Sequence, residues 1–298
     1  MSKRLLWGMI TLLLVTNIAS IILLTNKSDS SIGELDGEKL PKEVAVIGDK
    51  TITAEMWMEQ LQKEQGKDFL KNLINHEVVF QLADQHNITV GEKWMERELS
   101  IMETTAGVMS AEERQANRDK WKKTLQYQIF LDELLTRDVV LDESEMQKQF
   151  NEDTEQYNFA KSYQLSHIVV SDAATADKVV NELEGGASFS ILAREYSIDH
   201  YTKAQGGYLG YFSEDNSYLQ NVYFDMAKEL EPGTYSIPFQ TGDGTVILYL
   251  HHILPELSLQ YEDVKNHLKR EAAKDYITYE QSPELLWDEI GVEWIYDK

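Results

Sequence analysis

The sequence predicts an α+β protein in which a mixed α/β segment interrupts a mostly helical body, preceded by one N-terminal transmembrane helix. Three observations predict it. An uncharged run opens the chain, apolar residues recur at helical spacing on both sides of the centre, and a glycine-punctuated, strand-forming texture fills residues 161–253.

The run from Leu5 to Leu24 holds 20 residues and no charge. At the rise of an α-helix, a run of roughly 20 residues crosses a hydrocarbon core. Lys3 and Arg4 precede it, and the first acids after it are Asp29, Glu34 and Asp36. The positive-inside bias therefore leaves residues 1–4 in the cytoplasm and carries the bulk of the chain across the cell membrane. The run lacks a small-x-small cleavage site and exceeds the apolar core of roughly 7–15 residues usual in a signal peptide. It reads as a single-pass anchor, with a cleaved signal peptide as the competing reading.

Composition narrows the function. There is no cysteine, which excludes disulfides, thiolate metal sites, cysteine nucleophiles and a lipid-modified cysteine. The net charge is −23, and all 51 acids lie beyond the anchor. So acidic a body repels phosphate backbones, which argues against nucleic acid as a partner.

Residues 25–42 read as a linker, because the stretch 27–40 is polar, rich in Gly, Ser and Asp, and without apolar periodicity. Val44–Ile47 predict a short strand closed by the turn signal Gly48-Asp49. From Thr53 to about Val140 the pattern is helical, with Leu70, Ile74, Val78 and Leu82 on one stripe and Trp121, Leu125 and Ile129 on another. Thr89 with Glu92, and Ser110 with Glu113, fit capping boxes. Asp142, ahead of Glu145, fits an N-cap. Trp57, Trp94 and Trp121 fall in these helical stretches and read as core.

The texture changes near residue 161. Gln164–Val170 predict a strand, followed by helices near 173–184 and 188–196 around a Gly185-Gly186 break. A glycine-rich segment, Gly206-Gly207-Tyr208-Leu209-Gly210, comes next. Its glycines open no helix of a βαβ unit, so they supply backbone freedom rather than a phosphate cradle. Pro232-Gly233 and Gly242-Asp243-Gly244 punctuate further short strands, and a helix follows over about 258–276. The alternation in Val292-Glu293-Trp294-Ile295-Tyr296 predicts an edge strand at the end. His251 and His252 point to opposite faces of their strand, a poor metal pair, and no nucleophile-elbow signal marks a serine hydrolase.

Four motifs in order, spread over about 75 residues, resemble the parvulin family of peptidyl-prolyl isomerases. They are the opening Ser166-His167-Ile168, the segment from Gly185 through Phe189 and Leu192-Ala193 to Tyr196-Ser197, the turn Gly206-Gly207-Tyr208-Leu209-Gly210-Tyr211-Phe212, and Leu230-Glu231-Pro232-Gly233-Thr234-Tyr235-Ser236-Ile237-Pro238. The flanks resemble the chaperone part of SurA/PrsA-type foldases, beginning at Val44-Ala45-Val46-Ile47-Gly48. The resemblance implies a parvulin-like isomerase domain over 161–254. It sits inside a helical chaperone domain made of 43–160 and the C-terminal part, 255–298.

The resemblance also implies a site. His167 falls on the first of two facing histidines, Asp199 on the Cys or Asp that faces the substrate carbonyl, and Thr241 on a threonine of the same hydrogen-bond network. Leu219, Tyr223 and Phe212 fall among the groups that bind substrate, with Leu219 and Tyr223 near the pair that holds the proline ring. Val246 stands where the second histidine is expected. His252 lies six residues along the same strand, roughly 20 Å away at about 3.3 Å per residue, and cannot replace it. His200, beside Asp199, stays open as a substitute.

Two functions follow from the resemblance. One is an extracytoplasmic prolyl isomerase and foldase for newly exported proteins and proline-containing peptides, needing no cofactor and no metal. The other is a holding chaperone whose isomerase-like domain binds peptide without turning it over. Val246 is the residue that separates them, and an imidazole there is expected to rebuild a network with His167 and Thr241.

Overall fold

The computed structural model describes residues 34–35, 38–276 and 282–296. The anchor expected at 5–24 and most of the linker lie outside them. Among the described residues, no helix is long and apolar enough to cross a membrane.

The described residues fall into two units, one reaching to Ile74 and taking in 293–296, the other running from Asn75 to Val292. The first unit carries the strand pairs Glu34–Leu35 (β1) with Glu38–Lys39 (β2), and Glu43–Ile47 (β3) with Lys50–Thr53 (β4). Helix Ala54–Gln85 (α1) begins in it. The edge strand expected at 292–296 does not form. Alternation alone makes no strand without a ladder partner, and Trp294 and Tyr296 instead set their rings edge to face at 5.2 Å.

The second unit has a helical part and a sheet. Glu92–Thr104 (α2), Ala111–Thr136 (α3) and Glu143–Glu152 (α4) follow one another before the sheet. Ser110 and Glu113 form the expected capping box, and Asp142 accepts the Ser144 amide at 2.8 Å. Thr89 caps nothing. The helix starts at Glu92, so Gly91 takes the N-cap position and makes no side-chain bond. A core of Trp94, Leu99, Ile129, Met146, Phe150 and Tyr157 is completed by Leu259, Tyr261, Val264 and Leu268, the last three on helix Tyr261–Lys274 (α8).

Between these helical stretches lies an antiparallel sheet of five strands. Tyr208–Ser213 (β6), Ser162–Val170 (β5), Gly244–Leu254 (β9) and Thr234–Tyr235 (β7) are neighbours in that order, and Phe239–Thr241 (β8) also pairs β9. All nine residues of β5 are buried because both faces of the sheet are covered. Helices Ala173–Glu184 (α5) and Phe189–Tyr196 (α6) cover Ile168, Val170 and Ile247. Helix Asn221–Lys228 (α7) covers Leu165, Val169, Val246 and Leu248 on the other face. Each such side chain, fully buried, contributes about 1.5–3 kcal/mol before entropy is counted. Trp94 is buried in the helical core, whereas Trp57, in the first unit, is exposed.

Candidate functional site

His167 sits in the middle of β5, on the face covered by α7. Its backbone is fixed first. The His167 amide donates to the Gly207 carbonyl at 2.8 Å, and Gly207 holds φ at +80°. A β-carbon at Gly207 would fall 2.1 Å from the His167 carbonyl oxygen, so only glycine permits this approach. That is the structural reason for the second glycine of the Gly-Gly turn.

Asp199 is brought beside His167 by the loop that follows α6. The Ile198 amide donates to the Val169 carbonyl at 2.7 Å. The Ser197 hydroxyl accepts from the amides of Val169 and Asp199, each at 3.3 Å. The loop is thus sewn to β5, and the carboxylate has little freedom to leave.

The resulting cluster has four members. His167 Nε2 lies 2.9 Å from Asp199 Oδ2 and 3.1 Å from Thr202 Oγ1, and His167 Nδ1 lies 2.8 Å from the Tyr223 hydroxyl. The Thr202 hydroxyl donates to Asp199 Oδ2, its amide does so at 3.2 Å, and the Tyr201 amide reaches Oδ1 at 3.1 Å. Burial pushes the His167 imidazole below its ordinary value, against the pull of Asp199 and Asp243. Burial works on Asp199 in the opposite sense, but the hydrogen bonds from Thr202 and His167 outweigh it and hold the carboxyl at about 2. At neutral pH the pair is a neutral imidazole beside a carboxylate.

This cluster floors a cleft of about 510 Å³. Val169, Ile198, Leu209, Leu219 and Tyr223 supply an apolar wall, while Asp199, His200, Thr202, Gln220 and Asp243 supply a polar one. Such a cleft offers one apolar and one polar side to a small group.

Of the residues expected from the sequence, the structure brings His167, Asp199, Leu219 and Tyr223 together around the cleft, with His200 on its rim. Phe212 is not among the lining residues. It packs into the core and stacks on Tyr218, which does line the cleft, with ring centres 6.1 Å apart. Thr241 does not reach His167. Its hydroxyl donates to the Gly244 carbonyl at 3.1 Å and accepts from the Asp243 amide at 3.2 Å, tied up by the tight β8–β9 turn. Thr202 holds the place in the network that Thr241 was expected to take. Its signal was its position three residues after Asp199, the spacing of a side chain that turns back on a local acid. Val246 is fully buried, paired opposite Val169 and beside Phe239.

Comparison with known proteins gives a consistent set of matches. The model of the PPIC-type PPIase domain matches residues 141–266. YacD of Bacillus subtilis (strain 168), named as a candidate peptidyl-prolyl cis-trans isomerase, is 32% identical over 300 residues, covering 99% of this chain and 98% of YacD. The foldase protein PrsA of Caldanaerobacter subterraneus subsp. tengcongensis is 30% identical over 206 residues, 66% of this chain and 62% of that protein. The crystal structure of PrsA from Bacillus subtilis aligns over 86% of this chain and 95% of that one, at 21% identity and a TM-score of 0.30.

Proposed function

Because the chain belongs to the PPIC-type peptidyl-prolyl cis-trans isomerase family, we propose that it speeds rotation about Xaa-Pro bonds in proteins exported across the cell membrane and so assists their folding. Uncatalysed, that rotation faces a barrier of about 20 kcal/mol and takes tens of seconds or more. No bond is broken. The enzyme needs only to bind the twisted amide better than the planar one.

The carrying observation is an ionised carboxylate fixed at the floor of a half-apolar cleft. The proline ring sits against Leu219 and Tyr223, and the preceding carbonyl faces Asp199. Planar amide resonance places negative charge on the carbonyl oxygen. A carboxylate beside that oxygen opposes the charge and favours the twisted amide, in which resonance is lost. His167 and Thr202 orient the carboxylate, and Asp243 adds negative potential at the rim.

The other parts of the chain have roles in the same reading. Residues 5–24 anchor the chain through a single span, with residues 1–4 in the cytoplasm and the body outside. Residues 161–254 form the isomerase domain, inserted between 43–160 and 255–298 of a chaperone domain. The sharing of one helical core between Trp94–Tyr157 and Leu259–Leu268 supports that division. A holding role for unfolded segments is supported by Val46, Ile47, Met56, Phe69 and Leu73, all exposed in the first unit.

Exchange spectroscopy on a short Xaa-Pro peptide with the purified full chain tests the proposal. Cis–trans exchange above the uncatalysed rate, reduced by Asp199→Ala, is the expected result. Exchange at the uncatalysed rate would leave the holding role alone.

A further inference from the structure

Resting on that reading of the cleft, we propose that the Tyr223 hydroxyl takes over the task of the absent second histidine, as a positioning group that holds His167 in one tautomer and one orientation. Val246 is fully buried among Val169, Leu248 and Phe239 on the face of the sheet that carries His167. No polar group stands there, so His167 Nδ1 must be satisfied from another direction.

The direction is set by α7. Tyr223 is 4% exposed, and its ring is wedged between Phe239, edge to face at 5.5 Å, and the His167 ring at 5.9 Å. Its hydroxyl therefore has one place to go, and it meets Nδ1 at 2.8 Å.

Proton positions follow from chemistry. A carboxylate only accepts, so Nε2, facing Asp199 Oδ2 at 2.9 Å, carries the hydrogen. Nδ1 of the neutral ring is then bare and accepts, and Tyr223 must donate. The Thr202 hydroxyl also donates to Asp199 Oδ2. The hydrogen bonds accordingly run one way, from Tyr223 to His167 to Asp199, with Thr202 converging on the same oxygen. Reversing any member would leave two donors or two acceptors face to face in a buried site. Burial raises the Tyr223 phenol, which keeps its proton available for donation throughout the neutral range.

This explains how the site tolerates valine at 246. It also predicts that position 246 and the Tyr223 hydroxyl are alternatives. An imidazole at 246 has no role while Tyr223 occupies Nδ1, and gains one when the hydroxyl is removed.

The test uses full chain labelled with ¹⁵N at histidine, with His167 assigned by loss of its signals in His167→Gln. In the wild-type protein the ring should show one protonated and one bare nitrogen, unchanged from neutral to mildly alkaline pH. The groups facing the ring are Asp199 and Thr202 from the loop after α6, Asp243 from the β8–β9 turn and Tyr223 from α7. Tyr223→Phe keeps the aromatic ring and removes only the donor. It should move the Nδ1 resonance, narrow the shift difference between the two nitrogens as both neutral tautomers become populated, and lower kcat/KM on an Xaa-Pro peptide by about tenfold, the effect of one lost buried hydrogen bond. Val246→His placed on Tyr223→Phe should recover part of that loss. A Tyr223→Phe protein that folds normally and keeps wild-type nitrogen shifts and pH response overturns the inference. The nitrogen shifts are read without turnover, so they decide the point even if the wild-type protein proves inactive as an isomerase.

Discussion

Two polar clusters flank the central sheet on opposite faces, and they are built to different ends. One is the His167–Asp199–Thr202–Tyr223 group beneath the cleft. The other gathers around Glu103 near the end of α2, where the carboxylate is fully buried and held by Arg114 and by Arg118 at 2.8 Å. Tyr211 of β6 and His252 of β9 approach the same carboxylate at 3.3 and 3.6 Å. Tyr211 and His252 both pair with Gln164, so they share its face of the sheet, opposite to His167. Burial raises the Glu103 carboxyl and the two guanidinium groups more than compensate, so it stays ionised. Arg118 is balanced further by Glu96 at 2.6 Å. Charge is matched by charge, and the cluster ties the helical part to the sheet. In the cleft the carboxylate meets a neutral imidazole and a hydroxyl instead, so one negative charge is left facing the opening. A closed cluster holds structure together, and an open, unbalanced one is available to a ligand.

The largest expected effect is on the closed cluster. Glu103→Ala leaves Arg114 and Arg118 without their shared partner and should cost about 3–5 kcal/mol in chemical denaturation, the usual penalty for breaking a buried ion pair. A loss under about 1 kcal/mol would mean the cluster is hydrated and weak.

Acid should weaken the fold next. Burial holds His251 and His267 down to about 4, while the unfolded chain takes up these protons near 6.5. In that window the unfolded state binds more protons, so stability is present above pH 6.5 and is lost as pH falls toward 4. Asp199 and Glu103, both lowered, extend the loss below their ordinary values of 3.8 and 4.5. Urea midpoints between pH 7 and 4 should fall by the equivalent of about 3 kcal/mol or more, at about 1.4 kcal/mol per pKa unit. A flat profile down to pH 4 would contradict the burial of these imidazoles.

Val246→His in the otherwise natural chain should destabilise by about 2 kcal/mol in a thermal or urea melt, because a polar ring enters a packed site without a partner. It should not raise turnover, since the Tyr223 hydroxyl already occupies His167 Nδ1. Higher turnover with unchanged stability would restore the histidine network expected from the sequence. The smallest effect on stability belongs to Asp199→Asn, whose amide oxygen still accepts from His167. Its kcat/KM should fall by about tenfold or more, as expected when a group acts electrostatically on the reacting amide.

Much of this was legible in the sequence, and what was missed has a physical pattern. Caps at Ser110 and Asp142, the strand through His167 and the Gly206-Gly207 turn depend on local chemistry, and local chemistry is written in order along the chain. His167 and Asp199 were legible as positions. Their partners were not, because a hydroxyl's choice between turn and site depends on side-chain direction. Thr241 turns into its own β-turn, while Thr202 and Tyr223 turn toward the imidazole. Glu103 left no mark in the sequence at all, since a glutamate near a helix end reads as solvated until the sheet covers it.

The contrast between the clusters is tested most directly by histidine ring spectra recorded while the full chain is titrated with an Xaa-Pro peptide. The signals of His167 and His200, which line the cleft, should shift in a saturable way while those of His252 stay fixed. Shifts at His252 with none at His167 would contradict it, and would move the peptide site to the other face of the sheet.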